Sequence, residues 1–466
     1  MFDVQIDRLV INQSIFYSIL VYLLPLGYFI SLNKKKGQDI DMYKGINAFA
    51  NPLRTGITHF FSTSIKRTVN KKLTFATGYT QLRKMSSVTG FYIPPISFFG
   101  EGALEETADF IQNKEYKKAL IVTDPGIAAI GLSGRVQKML EERGLDVAVY
   151  DQTQPNPNTG NVLDGLKVLK KQDSEIVVSI GGGSAHDNAK AIALLATNGG
   201  DIGDYEGLNR SKKAALPLFA INTTAGTASE MTRFTIISNE EKKVKMAIID
   251  NNVTPAVAVN DPSTMFGLPP ALTAATGLDA LTHCIEAFVS TASNPITDAC
   301  ALKGIDLIQE SLVNAYNDGS DKKARTDMCY GEYLAGMAFN NASLGYVHAI
   351  AHQLGGFYHL PHGVCNAVLL PHVQEFNMEC PKAKKRLGEI ALHVGASQAI
   401  PEETIKALHA FNRTMNIPRN LKDLGVKTED FGILAENAMK DACHVTNPVQ
   451  FTKEQVVAIL KQAYEY

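Results

Sequence analysis

Four of the eleven histidines fall within fifteen residues, at His348, His352, His359 and His362. His348 and His352 are four apart, so on a helix they share one face. Upstream, Asp279 and His283 repeat that spacing. A carboxylate and several imidazoles are the donor types that hold a catalytic divalent metal. The competing reading is a set of ordinary core and surface histidines, and spacing alone does not decide between the two.

A second stretch has the composition of a phosphate site. The apolar run 175–180 leads directly into Gly181-Gly182-Gly183-Ser184, and a helical pattern follows over 187–196. Glycine lets the backbone approach a phosphate, and the start of a helix offers free N–H groups. Strand, glycine turn and helix therefore read as a pyrophosphate cradle or, failing that, as a flexible turn. Thr223, Thr224 and Thr227 follow another apolar run; they either bond a nucleotide or cap the next helix. Asp124 and Asp151 each close a strand-like run where an acid bonds a ribose 2′-hydroxyl, and spacing leaves both open.

The elements that must position these residues fall into two halves. Apolar runs at 118–124, 146–150 and 175–180 read as strands, and 133–143 and 162–171 as helices. Their alternation predicts a doubly wound parallel sheet over 85–265. From 266 to 466 long amphipathic patterns take over, at 272–290, 297–317, 322–340, 381–394, 401–415 and 453–464. Ser293, Asn294 and Thr452 are candidate helix caps, and Gly355-Gly356 reads as a turn or helix end. The expected fold is α/β plus all-α: a Rossmann-like nucleotide-binding domain, then a helical metal-binding domain. The cleft between them is the expected ligand site.

Composition narrows the partners. The 466-residue chain is 45% hydrophobic and carries a net charge of -2, which argues against nucleic acid. Its six cysteines include no Cys-x-x-Cys pair, so neither a disulfide framework nor a zinc knuckle is signalled. Residues 1–84 read as a separate N-terminal extension, poorly ordered, with Met85 as an alternative start. Within it, 15–32 is an uncharged apolar run followed by Lys34, Lys35 and Lys36. As a helix it would span about 27 Å, so membrane contact follows only if this run is an anchor. No acid occurs over 42–100, while Arg54, Lys66, Arg67, Lys71, Lys72, Arg83 and Lys84 are spread among hydroxyls. That composition suits a mitochondrial presequence, with a cytoplasmic protein as the alternative.

Taken together, four motifs are recognisable. They are Gly181-Gly182-Gly183-Ser184-x-x-Asp187-x-x-Lys190, Thr223-Thr224-Ala225-Gly226-Thr227-x-x-Glu230, Gly277-Leu278-Asp279-Ala280-Leu281-x-His283 and His348-x-x-x-His352-x9-His362-Gly363. Their order and register, from about Phe98 to the C-terminus, resemble the iron-activated (group III) alcohol dehydrogenases, whose fold is dehydroquinate synthase-like. The resemblance implies that Asp279, His283, His348 and His362 are the metal ligands. It implies that His352 is a nearby non-ligand histidine associated with substrate and proton transfer. It places Gly182, Gly183 and Ser184 at the pyrophosphate and Asp124, rather than Asp151, at the adenosine ribose. Asn156, Asp187, Thr223, Thr224, Thr227 and Lys245 match further cofactor contacts.

The activity so implied is NAD-dependent interconversion of short primary alcohols and aldehydes, ethanol and acetaldehyde first among them. One Zn²⁺ or Fe²⁺ per subunit and a homodimer are implied with it. The alternatives are a glycerol or diol dehydrogenase of the same superfamily, or a non-catalytic metal-binding protein. A divalent ion lowers the pKa of bound water from about 15.7 to about 7. A like shift in an alcohol is worth on the order of 10 kcal/mol, which no hydrogen bond matches. His359 and His186 receive no role. Because Asp124 repels a 2′-phosphate, Asp124→Gly is expected to raise NADP use relative to NAD. The ratio of the two kcat/KM values measures this, and an unchanged ratio removes Asp124 from the role.

Overall fold

Alternating strands and helices build the first half. In chain order they are β1 (Ile96–Phe99), α1 (Ala103–Asn113), β2 (Lys118–Val122), α2 (Pro125–Ala129), α3 (Leu132–Glu141), β3 (Asp146–Tyr150), α4 (Thr159–Gln172), β4 (Ile176–Gly181) and α5 (Gly183–Asn198). Then come β5 (Gly207–Leu208), β6 (Leu218–Asn222), β7 (Phe234–Asn239), β8 (Val244–Ile249) and β9 (Val257–Asn260). This is a computed structural model; it describes residues 88–466 except 242 and 243. The apolar run 15–32 and the basic residues up to Lys84 lie outside the described residues. No helix among the described residues is long and apolar enough to cross a membrane.

Six strands form one parallel sheet in the order β1-β9-β6-β4-β2-β3. Side chains alternate across it, and both faces are covered. Leu120, Val122 and Val177 pack with α4 and α5, while Ala119, Ile121, Ile176 and Val178 pack with α1 and α3. Burial on both faces explains why these strands read as continuous apolar runs. From β2 the chain turns outward to β3 and then returns to β4 on the other side. The crevice above the carboxyl ends of β2 and β4 is thus the topological switch point, where such sheets bind ligands. A smaller sheet, β5-β8-β7, covers α5 through Ile237, Met246 and Ile248.

The helical half follows: α6 (Pro270–Val289), α7 (Pro295–Asn317), α8 (Lys322–Ala342), α9 (Tyr346–Tyr358), α10 (His362–Asn377), α11 (Pro381–Ile390), α12 (Pro401–Thr414), α13 (Phe431–Ala438) and α14 (Lys453–Glu465). Asn294 caps α7 and Thr452 caps α14, each through a reciprocal capping box. α6 is the axis, buried almost all round from Thr273 to Val289. Gly90–Tyr466 forms a single compact unit, so the sheet half and the helical half share one body.

The expected helix end at Gly355-Gly356 is a correction. α9 continues through both glycines, and the chain leaves the helix at His359, whose φ is 57°. Two helical glycines cost about 1 kcal/mol each, and the packing of α9 against its neighbours outweighs that.

Two acids are buried where the halves meet. Glu230 follows β6 and Glu332 lies on α8; both are fully inaccessible. Asn260 Nδ2 donates to Glu230 Oε1 at 3.2 Å, and as anions Glu230 and Glu332 repel each other, which favours a proton on one of them. Burial pushes Glu230 up to about 7 and Glu332 well above the usual carboxylate range, with Lys190 opposing the rise at Glu230. The folded chain therefore holds protons that the unfolded chain releases above the ordinary glutamate value, so stability falls as pH rises through this window. Glu332→Gln is expected to raise the melting temperature at pH 8 and to flatten its decline from about pH 5 to about pH 8. Thermal unfolding across pH checks this, and a variant that tracks the parent chain throughout would refute it.

Candidate metal centre

The four predicted ligands come from three helices. Asp279 and His283 lie one turn apart on α6, both buried. His348 sits in the first turn of α9, and His362 is the first residue of α10. Gly363 makes the approach of α10 possible. A Cβ there would lie 2.0 Å from the Ala275 carbonyl oxygen, one turn before Asp279.

All three imidazoles turn Nε2 toward one oxygen. From Asp279 Oδ1 the distances are 3.5 Å to His362, 3.6 Å to His348 and 3.8 Å to His283. Two ligand atoms bound tetrahedrally at about 2.1 Å lie about 3.4 Å apart, so this spacing fits one ion. The ligating atoms of Asp279, His283 and His348 are mutually within 4.8 Å, and His362 joins them through Asp279. Burial works to raise the Asp279 pKa, yet His283, His362 and His348 hold it well below the usual range. Burial depresses His283 to about 4 and puts His362 well below its ordinary value, leaving both lone pairs free. Burial also works against charge on His348, but Asp279 and Glu286 lift it to about 9.

Sequence reasoning missed three residues here. Glu286 Oε2 lies 2.6 Å from His348 Nδ1, while its Oε1 accepts the Val347 N–H at 2.8 Å. This carboxylate accepts a hydrogen bond from Nδ1–H and so aims Nε2 at Asp279. Asn366, four residues after His362, donates from Nδ2 to Asp279 Oδ1 at 2.7 Å. The same nitrogen lies 3.1 Å from Nε2 of both His348 and His362. Asp441 Oδ2 lies 2.8 Å from His352 Nδ1. His352 stands beside the ligands, its ring stacked on His362 at 5.3 Å, but outside their converging set. Only the i,i+4 spacing of Asn366 from His362 offered a signal.

The residues expected to bind the cofactor gather around the end of β4. Thr123 Oγ1 donates to the Ile180 carbonyl at 2.7 Å, holding β2 against β4. Asp124 follows on β2, capping α2 through the N–H groups of Gly126 and Ile127 at 2.8 and 3.0 Å. Asp151 follows β3, one strand further away. A Cβ on Gly182 would stand 3.0 Å from Thr224 Oγ1, and one on Gly183 would stand 2.9 Å from Thr227 Oγ1. The turn is thus bare backbone walled by two hydroxyls, the cradle a pyrophosphate needs.

Ser184 Oγ accepts the Asn156 N–H at 3.3 Å, and Asn156 Oδ1 accepts from Lys245 Nζ at 2.7 Å. Lys245 lies on β8 and reaches toward Gly355 of α9. Asp187 turns inward instead. Its oxygens accept from Ser229 Oγ at 2.7 Å and the Ile236 N–H at 3.1 Å, tying α5 to β7. Thr223 is also buried, its N–H on the Gly181 carbonyl. His186 is a core residue, with Nδ1 2.8 Å from Ser179 Oγ.

The cradle and the ligands meet at one turn of α6. A Cβ on Gly226, between Thr224 and Thr227, would lie 2.7 Å from Thr276 Cβ, three residues before Asp279.

The profile of iron-containing alcohol dehydrogenases matches residues 94–262, and that of the C-terminal part of the Fe-containing alcohol dehydrogenase family matches 273–464. The chain belongs to the iron-containing alcohol dehydrogenase family. As such it is an oxidoreductase acting on alcohols with NAD, using a divalent metal. This iron-containing alcohol dehydrogenase is 90% identical over 382 residues to alcohol dehydrogenase 4 of Saccharomyces cerevisiae, covering 82% of this chain and all of that one. It is 58% identical to alcohol dehydrogenase 4 of Schizosaccharomyces pombe, over 82% of this chain and 90% of that one. Among solved structures, a 1,3-propanediol oxidoreductase superposes with a TM-score of 0.79 at 44% identity, over 81% of this chain and all of its own.

Glu286→Gln is expected to weaken metal binding about 10- to 100-fold while the fold is retained. Competition against a coloured chelator measures it, and an unchanged affinity would show that Glu286 does not orient His348.

Proposed function

We propose that this alcohol dehydrogenase interconverts short primary alcohols and aldehydes, with ethanol and acetaldehyde as the first pair to test. The observation that carries this reading is the convergence of three Nε2 atoms and Asp279 Oδ1 within 3.5–3.8 Å, one helical turn from the contact with the cofactor loop.

Asp279, His283, His348 and His362 would hold the ion. Three imidazoles and one carboxylate suit Fe²⁺ or Zn²⁺, and both are proposed. When bound, a divalent ion supplies Lewis acidity that favours an alcohol oxygen without its proton. The protein's own groups do the rest. Glu286 fixes the His348 tautomer by accepting from its Nδ1–H. Asp441 does the same for His352, leaving Nε2 of His352 to carry the substrate proton. Gly182, Gly183, Ser184, Thr224 and Thr227 receive the pyrophosphate, and Asp124 favours a ribose with a free 2′-hydroxyl over one with a phosphate. Lys245 and Asn156 close the cleft from the small-sheet side. Asp187 and Thr223 support the cradle from behind.

A diol substrate is the second reading, supported by 45% identity to the 1,3-propanediol dehydrogenase of Klebsiella pneumoniae. The proposal extends to a homodimer and, on the acid-free basic segment 42–100, to a mitochondrial address; residues 15–32 are the only proposed route to membrane contact.

Metal-stripped protein, restored separately with Fe²⁺ and Zn²⁺ and assayed with ethanol, propanediol and NAD, tests the reading. Loss of a Lewis acid worth several kcal/mol corresponds to about a thousandfold or more in rate. His348→Ala is therefore expected to lose metal-dependent turnover by that factor. Full turnover in that variant would sink the ligand assignment.

A further inference from the structure

A second trio of donors stands one ring away from the ligands. His352, Asp441 and Cys443 each present one atom able to bind a cation, and these atoms lie mutually within 4.8 Å on partly exposed side chains. Asp441 caps the short 3₁₀ turn Ala442–Thr446. Its Oδ1 accepts the Cys443 N–H at 2.9 Å and its Oδ2 meets His352 Nδ1 at 2.8 Å. The Asp-x-Cys turn therefore sets a carboxylate and a thiol side by side against an imidazole of α9. Of the six free thiols, Cys284, Cys300, Cys329 and Cys365 are buried, whereas Cys380 and Cys443 are partly accessible.

The donor chemistry is specific. Imidazole, carboxylate and thiolate together suit Zn²⁺ and its softer analogue Cd²⁺ and discriminate against Mg²⁺ and Ca²⁺. Nitrogen and oxygen on one tetrahedral ion stand about 3.4 Å apart, so the His352–Asp441 pair must open by about half an ångström. Rotation of partly exposed side chains supplies that. With three protein donors and water as the fourth, the site is weaker than one with four. Binding replaces the Cys443 S–H bond by a sulfur–metal bond and releases the proton to solvent.

We propose that His352, Asp441 and Cys443 form a second, weaker site for a thiophilic divalent cation, and that its occupation inhibits the enzyme by taking His352 out of proton transfer. The inhibitory half rests on the role given to His352 above; the binding half does not.

The test is a Cd²⁺ titration of holoenzyme carrying one equivalent of Fe²⁺. The first ligand set contains no sulfur, so thiolate-to-cadmium charge-transfer absorption in the ultraviolet reports on cysteine sites alone. The wild-type chain is expected to show this band together with one further bound equivalent by equilibrium dialysis, while alcohol oxidation falls. Cys443→Ser is expected to lose the band and the further equivalent, and to need about tenfold or more Cd²⁺ for the same inhibition. Cys380→Ser is expected to behave as wild type. A band that never forms, or that survives in Cys443→Ser, overturns the site. A band that requires Cys443 but leaves turnover intact overturns the inhibitory half and, with it, the proton-transfer role of His352.

Discussion

The structure depends on a buried carboxylate. Asp279 lies on the most enclosed helix of the molecule, and an unpaired anion there would cost several kcal/mol. The Asn366 amide and His348 offset that cost, and each of the three imidazoles around the carboxylate is fixed by a different device. His283 comes from the same helix, His348 is oriented by Glu286, and His362 is brought in by the bare backbone at Gly363. The centre is therefore a constraint on α6, α9 and α10 together. None of the three helices can slide without separating a lone pair from the shared oxygen.

The same turn of α6 couples the centre to the sheet. Gly226 sits against Thr276, while Thr224 and Thr227 wall the glycine turn after β4. A displacement of α6 is thus felt at both the cradle and the ligands. Chemistry that needs a cofactor and a cation on one substrate has its two halves referenced to one rigid element. The buried Glu230 and Glu332 lie along this seam, where Ala228 and Met231 of the loop after β6 pack against Gly336 of α8.

Much of this was legible in the chain, for physical reasons. β2, β3 and β4 are apolar on both faces, so they stand out as runs, and α6 to α8 are long enough for their periodicity to show. The spacing of Asp279 and His283, and of His348 and His352, announced a cluster, and the family likeness named its members. The rest depends on approach in three dimensions. β1 pairs with β9 across most of the sheet half, and β5, two residues long, has no pattern of its own. Glu286 and Asp441 reach their imidazoles from distant segments, so no local spacing marks them. Gly355-Gly356 misled because local propensity favours a break that packing does not allow.

Two of the proposed ligands occupy the opening turns of their helices, His348 on α9 and His362 on α10. Each helix start carries about half a positive charge from its aligned peptide dipoles. Both positive ends therefore lie beside the proposed cation site, where they oppose a cation and the Asp279 carboxylate offsets them. The compensation appears on the substrate side. There the helix-start dipoles would favour an anionic oxygen in the same sense as a bound cation would.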